Sequence, residues 1–326
     1  MKLTAPTNFD DELVPALAEA GVVEVYGKLT QDAAGGGRPS YVLPSVNRVR
    51  LEQHLKVVHD AGMRFNYLLN APTLGGIEST ANGYHNIRQL MDEVVALGVD
   101  SITVANPFFL ELAKRHYPEL AVKVSAFANV VSVLQAKQWA DMGASVITAS
   151  PPHLNRSLRV LEEMAKAVSA EIQVVVNNGC LQSCVWYQAH AALHAHASQE
   201  GHWSKGFVID HCVMNCRLAR LQDPALYIRG DWIRPEDVAM YEELGVVWFK
   251  LVNRSNPTST IIERAQAYSR RRYDGNLMNL LEHAMDHHDA GSSTWGSRPM
   301  ARPSSWRSSG CGTRSSPRPR PGLGAT

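Results

Sequence analysis

With 326 residues, 45% of them hydrophobic, the chain is long enough for one large domain with a sizeable core. No apolar run reaches the roughly 18 residues of a membrane span, and the opening MKLTAPTNFDDEL lacks the charged-then-apolar order of a signal peptide, so a cytoplasmic location without a membrane partner is expected. Net charge is +1, but the stretch from Gly291 carries six arginines and no acid; the remaining 26 basic and 31 acidic residues leave the body at −5, which argues against a nucleic-acid partner.

In chain order, an apolar run at 2–6 is followed by a helical pattern at 10–20, then a run at 22–28 and a helix at 46–61. The alternation continues with runs at 64–70, 101–106, 121–129, 145–150 and 172–178, and helices at 87–97, 107–116, 131–142 and 155–168. After a long gap come a run at 246–253 and a helix at 257–272. Near-continuous apolar runs alternating with helices indicate a parallel sheet covered on both faces, and eight of them predict a closed (β/α)8 TIM-type barrel over 1–290. Gly21, Gly62, Gly98, Gly143 and Gly245 stand between a helix and the next strand, where a left-handed residue ends a helix. The gap before the last strand is too long for one helix and predicts an insertion at 179–231 after the seventh strand. Residues 291–326 are rich in Ser, Pro, Arg and Gly without hydrophobic periodicity, and read as a disordered basic tail.

Polar residues collect where the predicted strands end: Asn70, Asn106, Asn129, Ser150, Asn177, Asn178, Asn253 and Arg254. In a barrel these ends share one mouth, so Asn70, Asn106, Asn129 and Asn178 are candidate contacts to a small-molecule substrate and Arg254 a candidate catalytic residue. The competing reading is that Asn commonly leaves a strand into a turn. The run Gly35-Gly36-Gly37 has neither the spacing nor the following helix of a dinucleotide fingerprint, and reads as a mobile loop over the mouth. There is no GxSxG elbow and no phosphate loop.

Four of the five cysteines fall in two matched pairs, Cys180/Cys184 in NNGCLQSC and Cys212/Cys216 in DHCVMNCR. Four thiolates suit one soft-metal site: a [4Fe–4S] cluster as the leading reading, structural zinc as the alternative, since zinc knuckles more often leave two residues between cysteines. Disulfides would need an oxidising compartment. Cys184 and Cys216 each open a helical stretch, which would set both pairs at positive helix ends. His190 and His194 lie one helical turn apart and read as a polar helix face or aromatic packing. His211, directly before Cys212, is the histidine expected to touch the site and the second candidate catalytic residue.

Three stretches resemble the U32 family, whose members are named as peptidases: the opening LTAPTNFDDELVPALAEAGVVEVYGK, the cysteine pairs with CVMNCR, and the closing WIRPEDVAMYEELGVVWFKLVNRSNPTSTIIERAQAYSRRRYDGNL. The likeness covers roughly residues 3–281. It implies a barrel-like protein with a [4Fe–4S] cluster on Cys180, Cys184, Cys212 and Cys216. It also implies oxygen-independent hydroxylation of the kind some members carry out on ubiquinone precursors, tRNA or rRNA, with prephenate or another compound as oxygen donor. Arg217 and Arg254 would then face the cluster or a substrate carboxylate, for which arginine is suited. The first cysteine pair is tighter than the family's usual spacing, Asn178-Gly179 replaces its His-Gly, and the extra C-terminal domain of the RNA-modifying members is absent. These departures point to a small organic substrate. The alternatives are a U32-type peptidase and a non-catalytic cluster-binding subunit of a heteromeric hydroxylase; a dimer with itself or with a related chain fits members that act in pairs.

Overall fold

The computed structural model describes residues 1–281, in which eight parallel strands close into a barrel in the order β1 to β8, with β8 pairing back to β1. The elements are β1 (Lys2–Pro6), α1 (Leu13–Glu19), β2 (Val22–Gly27), α2 (Arg48–Asp60), β3 (Arg64–Leu69), α3 (Ala81–Ala96), β4 (Ser101–Val104), α4 (Pro107–His116), β5 (Ala121–Val124), α5 (Val133–Asp141), β6 (Val146–Thr148), α6 (Pro151–Leu154), α7 (Leu158–Ala167), β7 (Glu171–Val175), α8 (Tyr187–Ala197), α9 (His211–Gln222), α10 (Leu226–Arg229), α11 (Val238–Glu243), β8 (Val246–Lys250) and α12 (Thr258–Arg270). The tail expected at 291–326 lies outside the described residues.

The apolar runs form strands because both faces are covered: all four residues of β4 are buried, and the core runs through Leu3, Phe65, Ile102, Val122, Ile147, Val174 and Phe249. Phe249 closes the ring, since it sits in register with Leu3 of β1 and with Val174 of β7. Outside, α1 and α12 bury Leu13, Leu17, Ile261, Ala265 and Tyr268. All five glycines between helix and strand take positive φ, from 74° at Gly21 to 100° at Gly143. Midway through the barrel the filling turns polar. Glu24 accepts hydrogen bonds from Lys123 Nζ at 2.7 Å, Ser101 Oγ at 3.1 Å and Thr4 Oγ1 at 3.3 Å. Lys123 Nζ also lies 3.4 Å from the centre of the Trp248 ring.

The structure shortens most predicted strands at their C-terminal ends. The run expected to reach residue 129 stops at Val124, because the Ser125 hydroxyl accepts the Phe127 N–H, a 3-10 turn spans Ala126–Ala128, and Asn129 turns left-handed at φ 52°. The helix expected at 87–97 begins at Ala81, capped by Thr80, whose hydroxyl accepts the Gly83 N–H at 3.1 Å. The helix expected at 155–168 is α7, which begins only at Leu158; Asn155, between it and the short α6, uses its side chain elsewhere and donates to the carbonyls of Val175 and Asp231. That residue ties the segment between β7 and β8 back to the barrel.

Candidate functional site

A cavity of about 150 Å³ opens at the C-terminal mouth of the barrel, between the strand ends and the long β7–β8 segment. Its walls include Lys250 at the end of β8 and Tyr26 on β2, with Asn70 after β3, Asn178 after β7 and Asn253 and Arg254 after β8. Cys180, Cys184, Cys212 and Cys216 all line it.

The thiols reach this wall by two different local structures. Between Cys180 and Cys184 the chain makes an irregular turn, with Ser183 left-handed at φ 50° and its N–H bonded to the Pro152 carbonyl at 2.6 Å. Cys212 and Cys216 instead lie within the first turns of α9, four residues apart and so on one face. The helix starts at His211, five residues before the expected opening at Cys216, because the Asp210 side chain caps it by accepting the Val213 N–H at 3.0 Å. Likewise Cys184 precedes α8 by three residues rather than opening it. Cys184, Cys212 and Cys216 are free thiols, and Cys212 is only 2% exposed. Burial pushes the thiols of Cys184, Cys212 and Cys216 up, which favours their protonated form. Buried Arg220, one turn after Cys216, holds this wall together: it donates to the Gly179 carbonyl, lies 4.0 Å from Cys216 Sγ and stacks over the Tyr227 ring.

Beside the thiols, α8 presents His190 and His194 to the same cavity. Their Nε2 atoms each lie 2.8 Å from Oδ2 of Asp210, and the rings are 4.0 Å apart. Burial keeps the His194 ring neutral, with its pKa pushed down to about 3. Burial alone would raise Asp210, but its histidine partners hold its carboxyl well below the usual range.

Cationic side chains line the same cavity. Arg38 donates to Asn253 Oδ1 at 3.1 Å and to the Gly37 carbonyl at 3.0 Å. Arg254 is 4% exposed and one guanidinium nitrogen, Nη2, is buried without a hydrogen-bond partner; burial lowers its pKa to about 10. Burial lowers Lys250 to about 7, and its ammonium nitrogen stands 4.1 Å over the Tyr26 ring. The Asn178 amide nitrogen is another buried donor without a partner. The glycine run that carries Arg38 is buried and tied down, a correction to the free loop expected there: Gly35 N–H donates to Asp32, Gly36 N–H to Ser198 and Gly37 N–H to Asn70. Glycine is required by close approach, since a Cβ at Gly35 would overlap the Ala195 carbonyl oxygen and one at Gly37 the Phe127 ring.

Of the residues singled out in the sequence, Asn70, Asn178, Arg254 and the four cysteines line the cavity, and Asn106, Asn129, Arg217 and His211 do not. Asn106 caps α4 by accepting the Phe108 N–H, and Asn129 accepts the Ser150 hydroxyl, so for these two the turn reading holds. Arg217 is one residue past Cys216 and therefore about 100° around the helix, whereas Arg220 shares the cysteine face. His211 is exposed and touches Cys212 Sγ across 3.5 Å from outside the cavity. Arg38, Lys250, Arg220 and Asp210 were not singled out. Asp210 was legible, as an N-cap residue directly before a helical stretch.

Among the described residues no helix is long and apolar enough to cross a membrane. The sequence profile of peptidase family U32 matches residues 40–251, which include all four thiols. A protein named as an uncharacterized protease of Methanocaldococcus jannaschii is 30% identical over 248 residues, 76% of this chain and 72% of that one. The tRNA hydroxylation protein P of Escherichia coli K12 is 29% identical over 168 residues, 50% of this chain and 34% of its own length, so the match spans about a third of that protein. A solved U32 peptidase superposes with a TM-score of 0.57 at 22% identity, covering 78% of this chain and 93% of that one, which supports the barrel fold. By profile and by relative, the chain belongs to peptidase family U32.

Proposed function

We propose that the chain is a cytoplasmic iron–sulfur oxidoreductase acting on a small organic anion, with oxygen-independent hydroxylation as its reaction type. The observation that carries this reading is one cavity lined by Cys180, Cys184, Cys212 and Cys216 together with Arg38, Lys250 and Arg254. The residues fit a [4Fe–4S] cluster: four soft donors, a helix N-terminus at Cys212 and Arg220 near Cys216 all favour a negatively charged group. Structural zinc would take the same four thiolates, but its knuckles more often leave two residues between cysteines, where both pairs here leave three. When bound, a cluster would supply one-electron redox chemistry at the cavity wall. The likeness to a tRNA hydroxylation protein supports hydroxylation. The cavity's size supports a small substrate over RNA.

The chain's own residues would orient that substrate. Arg254 and Asn178 present buried donors that lack partners, and leaving such donors unmet is costly. A carboxylate between Arg254, Arg38 and Lys250 would meet them. Small carboxylates are therefore expected to raise the melting temperature of the anaerobic protein, and Arg254→Ala to weaken that binding by roughly 10²-fold, as for loss of one buried charged partner. The binding should depend on pH. Lys250 is cationic below about pH 7 and neutral above it, so anion affinity should fall as pH rises from 6 to 8. Lys250→Met should bind weakly with a flat profile. Affinity that rises with pH, or survives Arg254→Ala, would contradict the anionic substrate.

A further inference from the structure

His190 and His194, one turn apart on α8, converge on a single carboxylate oxygen of Asp210, and the three ligand atoms lie within 4.8 Å of one another. Their side chains are 25%, 5% and 14% exposed, so this is a walled group and not a surface cluster. His194 Nδ1 lies 3.3 Å from the Gly37 carbonyl oxygen, which only accepts, and its Nε2 faces Asp210 Oδ2. With the Nδ1 hydrogen on that carbonyl, Nε2 presents a lone pair toward Oδ2, and a cation seated between them would be held by both. The Gly37 contact would become the outer hydrogen bond that commonly orients a ligating histidine. Asp210 is already divided for this role: Oδ1 caps α9 through the Val213 N–H, which leaves Oδ2 to the histidines.

We propose that His190, His194 and Asp210 form a second metal site that takes a divalent first-row transition ion beside the thiols. Two imidazoles and a carboxylate are a donor set used for zinc and for non-haem iron. Both histidines line the cavity, so the remaining coordination positions would open toward a bound substrate. This site stands independently of the thiolate reading, because it uses none of the cysteines. Arg38 opposes a cation here, so affinity below that of a closed four-ligand zinc site is expected.

The test is a Co²⁺ titration of the chelator-washed, anaerobic full chain, followed by visible absorption and paired with elemental analysis of iron and sulfide. The expected result is one Co²⁺ per chain with ligand-field bands and no thiolate charge-transfer band. His190→Ala, at a partly exposed position, and Asp210→Asn, which keeps the helix cap, should each weaken that Co²⁺ by more than the roughly 10–100-fold typical of losing an outer contact, with iron and sulfide content unchanged. The proposal is overturned if no Co²⁺ binds, if the bound Co²⁺ shows thiolate charge transfer, or if both substitutions leave its affinity as in the wild type.

Discussion

A Lys123→Met variant is expected to melt roughly 6–10 °C below the wild type. Lys123 and Glu24 form an ion pair of 2.7 Å inside the barrel, with side chains 5% and 3% exposed. Burial lowers the Lys123 pKa and Glu24 pulls it back up, the balance expected of a charge kept in the interior by its partner. Removing the lysine leaves the Glu24 carboxylate with two hydroxyl donors and no counter-charge in hydrogen-bond contact. Breaking a buried pair in this way costs about 3–5 kcal/mol, and in a domain of this size 1 kcal/mol shifts melting by roughly 2 °C. The double variant Glu24→Gln/Lys123→Met removes both charges and should recover most of the loss. Thermal unfolding of the wild type, the single and the double variant decides the matter; a Lys123→Met protein within about 1 kcal/mol of the wild type would mean water or another cation neutralises Glu24.

Cys212→Ala is expected to strip most of the iron from the anaerobic protein while leaving the barrel folded. Cys212 is the most buried of the four thiols and lies in the first turn of α9, where the helix end favours a negatively charged group. Its side chain is small, so the cavity left behind adds little to the loss of the ligand. The same change at Cys311, outside the described residues, should leave iron content as it is. Iron and sulfide analysis with far-ultraviolet circular dichroism would separate loss of ligand from loss of fold. Full iron retention by Cys212→Ala would remove this thiol from the site.

The barrel was legible because its signal is repeated. Alternating apolar runs and helical patterns recur through six consecutive units, and α4 was placed at 107–116, where Asn106 caps it and Pro107 occupies its first position. The gathering of the cysteines at the mouth followed from strand order. Side-chain direction was not legible. Asn70 and Asn106 both follow a strand, yet one lines the cavity and the other turns back onto its own helix, a difference set by where each strand stops. Arg217 was singled out because it directly follows Cys216, but within α9 one residue is about 100° of turn, and Arg220 is the arginine that shares the cysteine face. Lys250 was hidden inside the apolar run VVWFK, where a lysine reads as an interruption of a strand rather than a cation aimed into a cavity. Arg38 was hidden because a glycine run suggests a free loop, and only the fold shows that the run is clamped between Asp32, Ser198 and Asn70.

The most direct test of the central claim is an anaerobic purification of the full chain, with iron and acid-labile sulfide counted per polypeptide and the visible spectrum recorded. Four cysteines lining one cavity predict a brown protein with about four irons and about four sulfides per chain. A colourless protein that binds one zinc on its thiolates and no iron would contradict the account.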